Sequence, residues 1–184
     1  MSLRFLATLL LAGSAACAHA MTVPELQKML QTAPTGSVAF QEVRESPWLS
    51  APLASRGTLR ASPGLLEKRV ETPRAETWRL LPDRMEWTGP DGTVKALPYA
   101  QSPALQVLAD VTRLSMAGDL VALQRDFQIT LQGDERAWSA QLRPRGGAVA
   151  RELESVELQG AGSRLQVVIT TDRRGEKTTT RLLH

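Results

Sequence analysis

Glu76-Thr77-Trp78-Arg79-Leu80-Leu81-Pro82-Asp83-Arg84-Met85-Glu86-Trp87-Thr88-Gly89-Pro90-Asp91-Gly92-Thr93-Val94-Lys95-Ala96-Leu97 is the stretch that decides the fold. Trp78 and Leu80 alternate with Thr77 and Arg79, so a strand places the apolar pair on one face. Pro82-Asp83 breaks the run. Met85 and Trp87 then alternate with Arg84 and Glu86, and Gly89-Pro90-Asp91-Gly92 is a strong turn before the next short run. Period-two alternation interrupted by turn residues about every ten positions predicts short antiparallel strands joined as a meander.

The same pattern extends in both directions. Upstream, strands are expected at residues 37–45 (with Val38 and Phe40 on one face), 57–61, 65–71, 76–81, 84–88 and 93–97. The segment 46–53 contains Pro47 and Pro52 and reads as a loop. Thr22-Val23-Pro24-Glu25 opens a helix, with Thr22 as cap and Glu25 completing a capping box, and Leu26, Met29 and Leu30 line its apolar face to about Thr32. Downstream the period changes. Ser102 caps a helix with Pro103 at its first position. Leu105, Leu108, Val111 (or Thr112) and Met116 recur at helical spacing, and Gly118 ends it. Asp119 caps a second short helix carrying Leu120, Leu123 and Phe127. Period two returns at 127–131, 138–142, 153–159, 164–171 and 177–183, with Pro144 and Gly146-Gly147 read as turn. The expected fold is mainly β with helices (α+β): an open, strongly curved antiparallel half-barrel of about eleven strands, covered by the N-terminal helix and a mid-chain helical lid. So many strands curl, and an open curved sheet must cover its concave face. A space between sheet and lid is where a ligand would sit.

The 184 residues carry +3 of formal charge, one Cys and two His. The first twenty read as a signal peptide: Arg4, an apolar run over 5–12, and Ala18-His19-Ala20 as cleavage site. Residues 21–184 are then the single mature domain, with a net charge of +2 once Arg4 is lost. Lipid anchoring at Cys17 is disfavoured by Ser14 at the position where a Leu-like residue belongs. Periplasmic export is expected. With His19 in the leader and His184 at the end, the composition argues against Ser-His-Asp and Cys-His catalysis and His-based metal sites. Basic residues are spread among nearly as many acids, which argues against nucleic acid.

No nucleotide-binding, nucleophile-elbow or zinc-protease motif is present in the sequence. Glu42, Glu45, Glu67, Glu71, Glu86, Glu154 and Glu157 fall on expected strands and read as solvent-face partners of neighbouring Arg. No catalytic residue, cofactor site or metal site is expected. Aromatic residues are few: Trp78, Trp87 and Trp138 lie on strands, where they either pack a core or line an apolar cavity. Trp48 in the Pro-rich loop either gates a mouth or tucks beneath it.

The order of these pieces resembles the outer-membrane lipoprotein carrier family, LolA, and especially its divergent members. The resemblance is carried by the short first helix followed by Phe40-Gln41-Glu42, by Ser55-Arg56-Gly57-Thr58-Leu59, by Pro63 and Pro73, by the helix from Pro103 into Gly118-Asp119-Leu120 and Phe127, by Trp138-Ser139-Ala140-Gln141-Leu142-Arg143-Pro144, and by a strand ending at Gly160. It implies a periplasmic carrier whose apolar cavity shields acyl chains. The cargo, an acylated lipoprotein or other lipid, is received from an inner-membrane ABC-type or lipid exporter and passed to an outer-membrane acceptor. A monomer is expected. Phe40, Leu59, Leu66, Trp78, Trp87, Leu105, Leu108, Val111, Met116 and Trp138 are the expected cavity lining. Two positions depart from the family. Ser62 stands before Pro63 where typical carriers have an Arg thought to hold the lid closed. Leu66 or Lys68 replaces an aromatic on the next strand. The cargo is therefore open between a lipoprotein and a glycolipid or aryl lipid. The competing reading is a non-catalytic lipid- or lipoprotein-sensing or adaptor domain, which would have a filled core.

Overall fold

The computed structural model describes residues 21–34 and 36–184. The expected leader, including Cys17, lies outside the described residues. The eleven strands are β1 (Ser37–Glu45), β2 (Leu53–Ser62), β3 (Leu65–Thr72), β4 (Glu76–Leu80), β5 (Arg84–Thr88), β6 (Val94–Pro98), β7 (Phe127–Gly133), β8 (Trp138–Pro144), β9 (Leu153–Ala161), β10 (Arg164–Asp172) and β11 (Lys177–Leu183). They form one open antiparallel sheet in the order β6-β5-β4-β3-β2-β1-β11-β10-β9-β8-β7. Each strand pairs with its chain neighbour, as the meander requires, save β6 and β7, which are separated by the helices and form the two edges of the sheet. One pairing joins strands distant in the chain: β1 pairs with β11, with Phe40 opposite Leu182 and Glu42 opposite Thr180.

Four α-helices accompany the sheet: α1 (Val23–Leu30), α2 (Pro103–Met116), α3 (Leu120–Leu123) and α4 (Gly147–Glu152). The Thr22 N–H donates to the Glu25 carboxylate at 2.7 Å, so α1 starts where the sequence places its cap. Gln27 Oε1 accepts the Val121 N–H at 2.7 Å and ties α1 to α3. The N–H of Ala122 donates to the Asp119 carboxylate, which caps α3.

Two local expectations need correction. The Pro-rich segment ends a residue earlier than expected, because Leu53 already pairs with Arg44 and extends β2. The segment after Gly146-Gly147 is not simple turn: it makes the six-residue α4. Two adjacent glycines hid a helix held by tertiary contact rather than by propensity, with Val149 buried against the core.

The core divides unevenly along the sheet. Under β7 to β9 the concave face is filled: Phe127, Trp138, Ala140, Leu142, Leu153, Val156 and Leu158 are all buried. Under β1 to β5 the inward residues include Phe40, Leu59, Leu66 and Val70, but here the face also borders open space. This asymmetry positions the site.

Candidate functional site

A cavity of about 570 Å³ lies on the concave face of β1 to β5, with α2 at its edge. Its walls follow from strand parity. Leu59 comes from β2, Leu66 and Val70 from β3, Trp78 and Leu80 from β4, and Met85 from β5, while α2 supplies Thr112 and Met116. The register explains the grouping: Leu66 pairs with Leu80, and Leu80 with Met85, so one apolar row crosses three strands. A second cavity, of about 600 Å³, lies where α1 ends and is bounded by Leu30, Val38, Ala61, Leu165 and Leu182. Its walls also include Ser37, Ser62, Ser163, Arg164 and His184, so it is the more polar of the two. Met116 borders both.

Charged groups are built into the apolar wall of the first cavity. Lys68 Nζ donates to both oxygens of Glu42, at 2.6 and 2.7 Å, and the Thr180 hydroxyl donates to Glu42 Oε2 at 2.8 Å. The ammonium also sits 5.0 Å from the centre of the Phe40 ring. The Lys68 and Glu42 side chains keep 25% and 12% of their surface, and both border the cavity. The pair reaches across β2 at Gly57, which lies between Phe40 and Val70 in register. A Cβ at Gly57 would run into the carbonyl of Arg69, so this crossing point takes no side chain.

Glu76 forms the second polar station. Trp78 Nε1 donates to one of its oxygens and Trp87 Nε1 to the other, both at 2.9 Å. The two indoles stand 6.2 Å apart at 52°. Two carboxylates, Glu42 and Glu76, thus border one cavity. Each is engaged by its own donors, an arrangement that fixes side chains. Glu67 behaves as the sequence suggests, paired with Arg79 on the outer face at 2.9 Å. Glu42 does not: it points inward.

Of the residues expected to line a cavity, Leu59, Leu66, Trp78 and Met116 border this one. Phe40 is buried beside Lys68. Val111 is buried in the core, and Leu108 packs half-buried against it. Leu105 is half-buried on α2. Trp87 pairs with Trp78 across β4 and β5 and carries Lys95 over its ring at 5.4 Å. Trp138 lies in the filled half, donating from Nε1 to the Gly162 carbonyl at 2.9 Å. Trp48 does not tuck beneath a mouth: it is 77% exposed on its loop and borders neither cavity. Sequence reasoning missed Val70, Lys68, Glu42 and Glu76 as cavity residues. Parity could have found all four, because Glu42 shares a face with Phe40, Lys68 and Val70 share one with Leu66, and Glu76 shares one with Trp78.

The lid side carries polar groups without partners. Tyr99 Oη, Arg113 Nε and Ser115 Oγ are buried and make no hydrogen bond among the described residues. All three lie on α2 or in the 3₁₀ turn just before it, Tyr99–Gln101. Burial, reinforced by the nearby Asp110 carboxylate, pushes the Tyr99 phenol up to about 12. Arg113 also holds Asp110 at 2.9 Å. Among the described residues no helix is long and apolar enough to cross a membrane, and no cluster of His, Cys, Asp and Glu could hold a metal ion.

Similar solved structures include three that span most of the chain. One is a LolA superfamily protein from Nitrosomonas europaea, with 12% identity, 90% of this chain and 93% of the other covered, and a TM-score of 0.45. Another is a domain assigned to an outer membrane lipoprotein-sorting protein from Vibrio parahaemolyticus, with 9% identity, coverage of 88% and 89%, and a TM-score of 0.46. The third is a DUF1329 family protein from Desulfovibrio piger, with 7% identity, coverage of 88% and 89%, and a TM-score of 0.44. No curated protein matches the chain. The family comparison is more direct: residues 12–183 match the LolA-like outer membrane lipoprotein carrier proteins, and the chain belongs to that family.

Proposed function

We propose that this protein is a periplasmic carrier that shields the acyl chains of a lipoprotein or other lipid on the way from the inner to the outer membrane. The observation that carries the reading is the cavity of about 570 Å³ on the concave face, walled by Leu59, Leu66, Trp78, Leu80 and Met116 beside α2. Each CH₂ moved from water into such a wall gains about 0.8 kcal/mol, so an exposed acyl chain has a strong drive to enter. A filled core is what a sensing or adaptor domain needs, and the open half of this sheet favours the carrier. Release requires a cover that lifts at low cost. The unpartnered Tyr99, Arg113 and Ser115 atoms at α2 support this, because each regains hydrogen bonds with water when the helix moves. Donor and acceptor would be an inner-membrane exporter and an outer-membrane receptor, with the protein monomeric between them.

Native mass spectrometry of protein recovered from the periplasm tests the reading. A mass increment that extracts as acyl lipid or lipidated peptide is expected. Ligand-free protein that also fails to bind fatty acids or lipidated peptides would overturn it.

A further inference from the structure

The Lys68–Glu42 pair has no need of its position if the cavity holds plain hydrocarbon alone. Two of the three Lys68 N–H bonds are spent on Glu42, and the Phe40 ring covers part of the ammonium. The pair still keeps surface, and that surface faces the cavity. A saturated chain laid across it would strip solvent from an ammonium and a carboxylate and return nothing. An oxygen atom on the chain changes the balance. It accepts from the remaining Lys68 N–H, and a hydroxyl hydrogen can donate to a free lone pair of Glu42. Both partners are already fixed: Thr180 locks the carboxylate at 2.8 Å, and Gly57 leaves the crossing clear. A preset donor and acceptor side by side in an apolar wall have the form of a specificity site.

We infer that Lys68 and Glu42 form a polar subsite inside the acyl cavity, selecting a chain that carries a hydroxyl group along its length. This rests on the carrier reading. The ligand class is a hydroxylated acyl chain, recognised by its oxygen rather than by its head.

Calorimetric titration of the delipidated protein separates the two claims. The probes are palmitic acid and hydroxypalmitic acids with the hydroxyl near the carboxyl, in mid-chain or at the tail. At least one positional isomer is expected to bind about tenfold more tightly than palmitic acid, equivalent to ~1.4 kcal/mol. The double variant Glu42→Gln, Lys68→Met removes both charges together and so leaves no unpaired ion. It is expected to bind palmitic acid more tightly than the native protein does and to lose the preference. Equal binding of every acid by the native protein overturns the subsite while leaving the carrier reading intact. So does a preference that survives in the double variant. Failure to bind any of the acids overturns the subsite, and failure to bind lipidated peptides as well overturns the carrier reading with it.

Discussion

Leu142 and Leu66 are matched by exposure, at 0% and 1%, and differ in what lies beyond them. Leu142 is enclosed between Ile129 on β7 and Val156 on β9 in the filled half. Leu66 stands at the wall of the open half. Truncating either to Ala removes three carbons from an apolar environment, ~2.4 kcal/mol at about 0.8 per CH₂. At Leu142 a further term follows, because neighbours on every side leave a dry void. For a void of ~80 Å³, at about 24 cal/mol per Å³, the addition is ~2 kcal/mol. At Leu66 the change only widens a space bordered by Glu42 and Lys68, where solvent can follow, so the void term is small. Leu142→Ala should therefore destabilise by about 4–5 kcal/mol and Leu66→Ala by about 2–3 kcal/mol. Urea unfolding followed by far-UV circular dichroism measures both, provided the slope m stays that of the native protein. Losses agreeing within about 0.5 kcal/mol, under that same condition, would refute the division of the sheet into a filled and an open half.

Three other expectations follow from single side chains. Glu76→Gln keeps one acceptor for two indole donors, so one Trp loses its partner. The tryptophan emission should shift, and stability should fall by about 1 kcal/mol, the bonds being half-exposed. Tyr99 is the only tyrosine, and its phenol is held near 12 in the folded chain against an ordinary value of 10.0. The folded state thus holds this proton more tightly, so its contribution is fully present below pH 10 and is lost as pH rises toward 12. Ultraviolet titration should show the late ionisation, and Tyr99→Phe should be neutral or stabilising. Gly160→Ala should unfold at markedly lower temperature in a thermal melt, since a Cβ there collides with the Trp138 indole and the Arg164 carbonyl.

Parity and turn chemistry made most of the architecture legible. The bounds of β1, β5 and β11 are those that alternation and flanking turn residues indicate. Ser102 and Gly118 bracket α2, although the Ser102 side chain makes no capping hydrogen bond; Pro103 at the first position and the left-handed Gly118 mark the two ends. The short α4 was hidden, since six residues after two glycines have no helical signal of their own and are held by what they touch. The site was legible only in outline. Alternation says that Leu66 and Trp138 both face inward, but not that one borders open space while the other packs against Gly160. Filling depends on how far two distant segments approach, which no local pattern encodes. Glu42 shows the cost of residue type overriding parity: a carboxylate on a strand suggests solvent, yet its neighbours Val38 and Phe40 point it into the cavity.

The pairing of β1 with β11 has a consequence for how the molecule comes into being. The first and last strands meet in the middle of the sheet, so neither half is joined to the other until the final residues are available. Local hairpins can form early, but the seam closes a loop nearly as long as the domain, and such distant pairing slows folding. While still being made, the chain lacks the strand that completes the sheet, and its two hairpin arrays stay unjoined until β11 emerges.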